Sequence, residues 1–461
     1  MVTGGATRAR SFAIIGSGIA GLLTAHGLRK AGHSVTLYSD RTSQQWVTEH
    51  KPTGAAGRFD ITLQFERDLG LNHWEQQAPK GRGIHLTFCQ KKGNRLLTLT
   101  GKSDSYFQAL DVRLQSSRWM QDLEARGGRV VIESVTTARL DAIAAEHDLA
   151  IVAGGRTELS RLFERDAKRS VYAVPQRKLA MVIAKGGAMS FRGVPFLVAK
   201  FNLFAEEGET FWVPYFHKDV GPTWALAFEA KPGRALDRFS GAKSGEEVLR
   251  IGKQVIRDLA PWDWEWARDM ELSDDHGWLV GGFAPTVRAP VGRLPSGRLV
   301  TPVGDAAMSL DPVGGQGANN GTKMARNLVE RIVAHGDRPF DEEFLTATFE
   351  AFYRRHGGPT YTFNNLLLEP MTDAGKELLI AQYGCDGTGN SGRQRIANAL
   401  MANFNDPERY TPAFQDMATA RALIEKCTGR SWIAAGISGR LGVARAQLRQ
   451  LLGRDPGHPF A

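Results

Sequence analysis

A glycine-rich turn between a short apolar segment and a helix constrains the fold of this chain more than any other feature. The apolar segment at 11–15 is followed by glycines in the spacing Gly-x-Gly-x-x-Gly, and a second apolar segment follows at 34–38. Small residues in this spacing allow a tight turn and bring a phosphate close to the start of the helix. The pattern predicts the first βαβ unit of a dinucleotide-binding domain, although it does not by itself distinguish NAD, NADP and FAD. The predicted binding residues of this turn are Gly16, Gly18, Ile19, Ala20 and Gly21.

A second glycine-rich segment, about 290 residues further along the chain, predicts which dinucleotide is bound. An apolar run at 298–303 ends in Gly304 and Asp305, and the loop 311–319 (DPVGGQGAN) leads into a predicted helix. An acid at a strand end accepts hydrogen bonds from hydroxyl groups, and a helix start offers N–H groups to an anion. A reduced flavin carries negative charge at one edge of its ring, so the combination predicts FAD. The predicted flavin-binding residues of this segment are Gly304, Asp305, Pro312, Gly315, Gln316, Gly317, Ala318 and Asn319.

The composition is typical of a globular protein and excludes several other classes. The 461 residues suffice for two or three domains, and 42% hydrophobic and 23% charged residues are ordinary for a globular protein. Three cysteines without paired spacing exclude a disulfide framework and favour the cytoplasm. The net charge of +9 favours solubility and recruitment of flavin phosphates over nucleic-acid binding, because no basic run or aromatic–basic platform accompanies it. The histidines show no metal-ligand spacing, and no apolar run is long enough for a membrane span.

The order of the predicted elements indicates a mixed α/β fold with four parts. Residues 1–170 and 286–334 are predicted to form a discontinuous Rossmann-like FAD-binding domain. Residues 171–285 contain aromatic-rich segments typical of an antiparallel β-sheet, which we predict to be an inserted substrate domain. Residues 335–427 are predicted to be helical, and 428–461 form a basic tail. The tail pattern favours a helix packed on its own domain over a helix that contacts a partner or a membrane surface.

The expected ribose-binding acid is replaced in this chain. About 18 residues after the third glycine of the turn, where an Asp or Glu is usual, the chain has Ser39, followed by Asp40 and Arg41. One interpretation is a weakened adenosine anchor, as expected for a flavin that is exchanged rather than held permanently. The other is that Asp40 turns inwards and takes the usual role. We include Ser39, Asp40 and Arg41 among the predicted cofactor-binding residues.

These segments together resemble a known enzyme family. The match extends over nearly the whole chain, from about residue 11 to 427, and its most specific segments are 34–40 (SVTLYSD), 61–74 (ITLQFERDLGLNHW), 123–128 (LEARGG), 311–319 (DPVGGQGAN) and 404–409 (FNDPER). On these residues the chain resembles flavoprotein monooxygenases of the aromatic-hydroxylase type. Within that type it is most similar to the styrene/indole monooxygenase family, the oxygenase component of two-component systems.

The resemblance implies a reaction and its partners. FADH2 would arrive from a separate NAD(P)H:flavin reductase, react with O2 to a C4a-hydroperoxide, and epoxidise or hydroxylate an apolar aromatic or alkenyl substrate, either styrene-like or indole-like. Hydroxylases that use NADPH directly carry Asp-Gly after the third strand, whereas this chain has Gly154-Gly155-Arg156. A self-sufficient NAD(P)H-dependent hydroxylase and a non-catalytic carrier of reduced flavin are the alternatives, and a homodimer is left open.

The resemblance also implies roles for residues outside the two glycine-rich segments. Pro312 and Gly314 would form the wall where oxygen meets the flavin. Gly54, Ala56 and Arg58 occupy the segment that lines the flavin-side pocket in styrene oxygenases, but they match neither the styrene nor the indole pattern. An arginine that faces the pocket would suit a substrate with a carbonyl or carboxylate, or the flavin itself, and one that faces solvent would indicate nothing about function.

Three further predictions concern basic and aromatic residues. Lys51 is expected near the flavin or its phosphates, and Arg113 is expected beside the ribityl chain. The segment 262–266 (WDWEW) is similar to a tryptophan signature of flavin-dependent halogenases but breaks it, so core packing is the favoured interpretation.

Overall fold

The computed structural model describes residues 8–91, 94–154 and 158–458. The strands, numbered in chain order, are β1 (Ser11–Ile15), β2 (Ser34–Ser39), β3 (Gly81–Lys91), β4 (Asn94–Phe107), β5 (Ala109–Leu110), β6 (Arg129–Ile132), β7 (Leu149–Val152), β8 (Lys178–Lys185), β9 (Val198–Phe204), β10 (Gly208–His217), β11 (Gly221–Ala230), β12 (Glu271–Leu272), β13 (Trp278–Gly281), β14 (Thr286–Val287), β15 (Gly292–Arg293), β16 (Leu299–Pro302) and β17 (Met308–Ser309).

The helices are numbered in the same way. They are α1 (Ile19–Lys30), α2 (Ser43–Thr48), α3 (Asp60–Asp68), α4 (Val112–Ala125), α5 (Thr137–Glu146), α6 (Gly245–Leu259), α7 (Trp264–Ala267), α8 (Gly317–His335), α9 (Glu342–Phe352), α10 (Gly358–Leu368), α11 (Asp373–Ala381), α12 (Gly392–Ala402), α13 (Pro407–Gln415), α14 (Met417–Thr428) and α15 (Trp432–Leu451). Short 3-10 turns at Gly304–Ala306 and Pro312–Gly314 follow β16 and β17.

The predicted dinucleotide-binding domain is present. Its six-stranded sheet has the order β15-β16-β7-β1-β2-β6, and every pair except β15–β16 is parallel. The central strands β1 and β7 are almost fully buried, as expected for a parallel sheet covered on both faces. Helix α1 packs on α8, where the Cβ of a residue larger than glycine at Gly27 would lie 2.8 Å from the side chain of Val329. The fold therefore confirms the predicted βαβ start and its continuation in the residues around 300.

The second sheet contains the predicted substrate-domain strands and three more, β3, β4 and β5. Its main strand order is β12-β8-β11-β10-β9-β3-β4. The strands from β8 to β11 are antiparallel neighbours, which confirms the segments predicted from 171–285. Strands β3 and β4, which lie within the predicted FAD-binding range 1–170, join this sheet instead, with β3 parallel to β9. The predicted boundary is wrong at this point, because the strand pairing connects segments that are far apart in sequence.

The two faces of the large sheet have different surroundings. One face packs on α6 and α7 through a cluster that includes Trp212, Trp224 and Phe228. The tryptophans of the 262–266 segment pack against this cluster, as the core-packing interpretation predicted. The other face packs on the C-terminal helices, Phe59 and Val313, and it carries Phe201 and Phe211, which contact each other at 4.9 Å between ring centroids.

The C-terminal region is helical from α9 to α15, as predicted. Helix α15 of the basic tail packs closely on α11, because a Cβ at Gly439 would overlap the carbonyl oxygen of Ile380. This confirms packing on its own chain, whereas Ile437, Leu441 and Leu448 point outwards and are more than half exposed. Along the described residues, no helix is both long and apolar enough to cross a membrane.

Candidate active site

The glycine turn before α1 has the geometry that a phosphate site requires. Gly16 adopts a φ of 116°, which side chains disfavour, and its N–H donates to the carbonyl of Tyr38 at 2.9 Å. A Cβ at Gly21 would overlap the carbonyl oxygen of Gly16, so only glycine allows the helix to approach the turn. Gly18 is the N-cap of α1 and provides no side-chain cap, and no atom lies within 4 Å of its Cβ position. The first turn of the helix contains no acidic residue. The first N–H groups of α1 can therefore bind an anion.

At the end of β2, Ser39 occupies the position of the usual ribose-binding acidic residue. Ser39 is buried, and its hydroxyl lies 2.7 Å from the hydroxyl of Ser17 and donates to the carbonyl of Arg41 at 2.6 Å. Asp40 points outwards with its side chain 53% exposed and forms an ion pair with Arg41, which holds the pKa of its carboxyl below the usual value. The structure thus shows Asp40 turned towards Arg41 and solvent. The binding roles predicted for Ser39, Asp40 and Arg41 stay predictions.

Three elements meet at the end of β16. Gly304 adopts a φ of 64°, and a Cβ on it would lie 2.8 Å from the Cβ of Ala20 in α1. Gly321 of α8 lies beside the same two residues, with its Cβ position 3.5 Å from each. Asp305, which follows directly in this turn, is exposed. The predicted acid therefore stands where the starts of α1 and α8 converge, next to the phosphate-binding turn.

The loop 311–319 is a rigid turn that leads into α8. Asp311 caps the turn Pro312–Gly314 by accepting from the N–H of Val313 at 3.1 Å. Asn364 fixes the turn from α10, because it donates to the carbonyl of Asp311 at 2.8 Å and accepts from the N–H of Gly314 at 3.1 Å. Pro312 is exposed between two buried neighbours. Pro312 therefore faces outwards, and the backbone of its turn is fixed by Asn364.

Two predicted flavin-binding side chains of this loop are engaged within the protein. Gln316 donates to the carbonyls of Gly314 and Phe404, and its amide oxygen is buried without a donor among the described residues. Asn319 accepts from the N–H of Phe59 at 3.0 Å and donates to the carbonyl of Gly57 at 2.9 Å. Both side chains therefore stabilise the loop, and a contact with flavin would come mainly from backbone groups. Gly315 and Gly317 have open space at their Cβ positions, as close approach of a flat ligand requires.

Arg58 has a different environment from either predicted alternative. Its guanidinium is 1% exposed, forms an ion pair with Glu66 at 2.8 Å, and donates to Gln115. Burial raises the pKa of Glu66, and the positive charge of Arg58 counteracts this. The side chain thus faces α3 and α4 rather than solvent, and the structure supports a structural role for this arginine. Gly54, in contrast, is exposed with open space at its Cβ position, and Ala56 is half-buried.

Arg113 joins the two domains. Its guanidinium is fully buried and bonds to Asp111 at 2.8 Å and to Asp274 at 2.9 Å. It also lies 3.2 Å from His217 and 3.5 Å from the carbonyl of His50. Burial alone would raise the pKa of the Asp274 carboxyl, but the hydrogen bonds from His217 and Arg113 hold it well below its usual range. The guanidinium is thus committed to ion pairs between α4 and the substrate domain, and its predicted flavin contact stays a prediction.

Lys51 also contacts the substrate domain. Its ammonium lies 3.1 Å from the ring centroid of Trp278 in β13, a cation–π contact. Partial burial lowers the pKa of this amine. Its predicted position near the flavin phosphates is therefore neither excluded nor tested by this contact.

The face of the large sheet that points to the loop 311–315 contains an opening. Val213 of β10 and Ala227 of β11 lie on central strands with neighbours on both sides, yet both remain partly exposed. Val313 of the loop packs in the same cluster as these two residues, and Ala55 packs against the adjacent cluster. The partly exposed apolar side chains at the opening are Ala55, Val213, Ala227 and Leu279, and Met181, Ile183 and Ala225 are buried in the same cluster. The arrangement forms an apolar cleft between the sheet, Ala55 and the turn that begins at Pro312.

The residues of this cleft were not predicted from the sequence. The alternation of side chains along β10 and β11 is the signal that could have found them, because every second residue faces the same side of a strand. Glu209 and Glu229, acidic residues within mostly apolar strands, were not predicted either. Gly155 and Arg156 stand where hydroxylases that use NADPH directly carry the Asp-Gly motif. Both residues lie outside the described part of the chain. Within the part of the chain that the structure describes, no three His, Cys, Asp or Glu side chains group as a metal site.

The sequence matches two protein-family models. Residues 155–266 match a model described as the proposed substrate binding domain of styrene monooxygenase A, and residues 14–67 match an NAD(P)-binding Rossmann-like domain. Styrene monooxygenase StyA from Pseudomonas fluorescens is 26% identical over 410 residues, which cover 87% of this chain and 94% of that relative.

Solved structures share the fold at lower identity. A flavin-dependent brominase is 13% identical, covers 96% of this chain and 100% of its own, and has a TM-score of 0.58. A flavoprotein/dehydrogenase from Cytophaga hutchinsonii is 12% identical, with 90% of this chain and 99% of its own covered and a TM-score of 0.60. At these identities the likeness concerns the fold alone.

Proposed function

This chain belongs to a styrene monooxygenase-like family of FAD-dependent monooxygenases, and we propose that it uses FADH2 from a separate reductase to oxygenate an apolar substrate. The single observation that carries the proposal is the apolar cleft on the central strands, which opens beside Ala55 and the turn at Pro312. An oxygenated product would form where the cleft meets that turn.

The residues present fit a bound FAD. The uncapped start of α1 at Gly18 suits the pyrophosphate, Asp305 suits the hydroxyl groups of the ribityl chain, and the start of α8 at Gly317 suits the negative edge of the ring. When bound, reduced flavin activates O2 so that one oxygen atom passes to the substrate and the other leaves as water. The protein binds and orients the two reactants, and the apolar walls around Val213 and Ala227 exclude water from them.

The chemistry of the cleft favours an uncharged, electron-rich substrate. Its partly exposed residues, Ala55, Val213, Ala227 and Leu279, carry no charged or hydrogen-bonding side chain, so a charged substrate would lose hydration without compensation there. A compact aryl alkene such as styrene, or an indole, has the shape and polarity that such walls accept. The small side chains of Ala55 and Ala227 leave space for a ring.

An exchangeable flavin favours delivery from outside. The position of the usual ribose acid is held by Ser39, whose hydroxyl is engaged with Ser17, and Asp40 is paired with Arg41. A weaker adenosine anchor suits a cofactor that enters reduced and leaves oxidised. We therefore propose an NAD(P)H:flavin reductase as the partner.

The experiment mixes the purified protein with isotope-labelled O2 and styrene or indole, either with chemically reduced FAD or with NAD(P)H and oxidised FAD. We expect a product that contains one labelled oxygen atom with reduced FAD, and no substrate-stimulated NAD(P)H oxidation unless a reductase is added. Rapid NAD(P)H oxidation without a reductase would instead establish a self-sufficient hydroxylase. Absence of any oxygenated product from either compound, despite tight binding of reduced FAD, would favour the carrier alternative.

The chain offers a matched control in Gly18→Asp. Gly18 has ordinary dihedral angles (φ −76°, ψ 177°) and open space at its Cβ position, and Asp is a favoured helix cap, so the variant should fold. Its carboxylate would repel the pyrophosphate at the start of α1. Labelled product from this variant at the wild-type level would show that the oxygenation does not require flavin bound at this turn.

A further inference from the structure

Three carboxyl groups and one guanidinium are buried together at the end of the cleft. Glu209 of β10 and Glu229 of β11 lie directly opposite each other in the strand register. Arg177 precedes β8, the other neighbour of β11, and Asp311 begins the turn at Pro312. All four residues are buried, with at most 4% of each exposed. The cluster therefore connects the substrate sheet to the turn that we place beside the flavin.

The single positive charge of the cluster is committed to one of the acids. Arg177 donates to both carboxylate oxygens of Glu209, at 2.7 and 2.9 Å. Glu229 has no such partner, and its Oε2 is buried without a donor among the described residues. Its carboxyl interacts with the carboxyl of Asp311, and this interaction raises the pKa of Glu229 and lowers that of Asp311. Two buried acids thus face each other without a cation between them.

Such a pair holds a proton, because two adjacent buried carboxylates cannot both ionise cheaply. Burial raises the pKa of Glu229 well above its usual value, and the charges of Asp311 and Glu209 raise it further, against a smaller opposite effect of Arg177. Burial also raises the pKa of Asp311, which the N–H of Val313 and the charge of Arg177 counteract.

Glu229 is therefore the better proton carrier and Asp311 the better acceptor. Lys231 also acts on the cluster and lowers the pKa of Glu209.

Asp311 transmits this contact to the loop. Its carboxylate caps the turn at Val313, and its carbonyl is held by Asn364, which also binds Gly314. A donor on the sheet would fix the remaining side of the same carboxylate. The position of the turn would then depend on the substrate domain as well as on α10.

We propose that protonated Glu229 is a positioning residue, which donates a hydrogen bond from the substrate sheet to Asp311 and thereby holds the turn 311–314 against the flavin. The inference rests on the proposed function only in placing the flavin at that turn. Loss of the proton would set two carboxylates against each other and displace the turn, so that reduced FAD binds more weakly at high pH.

The variants Glu229→Gln and Glu229→Leu test the proposal. Glutamine has the same shape and keeps an N–H donor for Asp311 but cannot ionise, whereas leucine removes the donor. We expect Glu229→Leu to weaken binding of reduced FAD by roughly tenfold at neutral pH. Glu229→Gln should retain binding and should not show the loss at high pH that the wild type shows. Equal affinity of all three proteins across the pH range would overturn the positioning role.

A measurement on the flavin-free protein tests the proton itself. A carboxyl whose pKa is raised on folding binds a proton that the unfolded chain releases above about pH 4.3, so stability falls as pH rises towards the folded pKa. The thermal unfolding midpoint of Glu229→Gln should therefore rise relative to wild type with increasing pH. Glu206→Gln, at an exposed glutamate just before β10, is the matched control and should follow the wild type. Parallel curves for Glu229→Gln and wild type would overturn the proposal even if Glu229→Leu fails to fold. Absence of oxygenated product would refute the proposed function but leave this result intact.

Discussion

The ion-pair network between the two domains provides a sharp test of how the substrate domain is held. Asp274 precedes β13 and accepts two hydrogen bonds from Arg113, at 3.0 and 2.9 Å, and one from His217. It also accepts from the N–H of His276 at 2.8 Å. Replacement of Asp274 by alanine removes these bonds and leaves the buried guanidinium of Arg113 with Asp111 as its remaining carboxylate partner.

The expected cost follows from burial. Removal of one partner from a fully buried ion pair costs about 3–5 kcal/mol, because the other charge stays buried. Asp274 is 16% exposed in its side chain and Arg113 keeps Asp111, so the value should be lower. We expect Asp274→Ala to lower the free energy of unfolding by about 2–3 kcal/mol.

Urea unfolding at neutral pH, followed by circular dichroism and tryptophan fluorescence, measures this difference. The neighbouring Asp275 is exposed, and the structure gives its carboxylate no comparable contact among the described residues, so Asp275→Ala is the matched control. The pKa of Asp274 is lowered on folding, so its contribution is complete above the unfolded pKa of about 3.9 and is lost as pH falls below it. The difference between wild type and Asp274→Ala should therefore be constant near neutral pH and shrink only in acid.

Equal unfolding free energies for the two alanine variants would refute this reasoning. A loss from Asp274→Ala that grows as pH falls would also contradict it, since the lowered pKa requires the opposite sign. The first outcome would mean that Arg113 is stabilised by Asp111 alone, and the second that the pKa of Asp274 is not lowered on folding.

Two further predictions concern the proposed cofactor and substrate sites. Asp305→Asn should weaken FAD binding by about 1.5–3 kcal/mol in titration calorimetry, because a charged acceptor of hydroxyl hydrogen bonds becomes neutral. Asp40→Asn should change the affinity little, since that carboxylate is paired with Arg41 and half exposed, and a loss equal to that of Asp305→Asn would contradict the assignment. Ala227→Leu should lower kcat/KM for styrene by roughly tenfold while FAD binding is retained, because it fills the cleft on a central strand. Val220→Leu, in the exposed connection between β10 and β11, is its control, and equal effects of the two variants would place the substrate elsewhere.

The parts of the structure that were predicted from sequence are those encoded locally. The glycines at 16, 18 and 21 require their conformation within a few residues, and the strands β8 to β11 show their own periodicity. The membership of β3 and β4 in the large sheet is not local, since it depends on pairing with β9.

The contacts of buried charged residues were also not predictable from the sequence. Arg58 was predicted to face a pocket or solvent, but it contacts Glu66 and Gln115. The spacing of these residues in the sequence does not show that they lie close to Arg58. The same holds for Glu229, where a charged residue within an apolar strand indicates burial without naming the partner. The open cleft also required the structure, because only the packed sheet shows that Val213 and Ala227 remain uncovered.

The parallel pairing of β3 with β9 has a consequence for how the protein is made on the ribosome. The hairpin of β3 and β4 leaves the ribosome long before β9 is synthesised, so one edge of β3 has no strand beside it during that interval. Such an edge can pair with another nascent chain, and long-range pairing slows folding. Strand β16 and the turn at Pro312 emerge later still, and β16 completes its place beside β7 only then. The centre that we assign to oxygen transfer is thus assembled late, because the turn also depends on Asn364 of α10, which is synthesised after it.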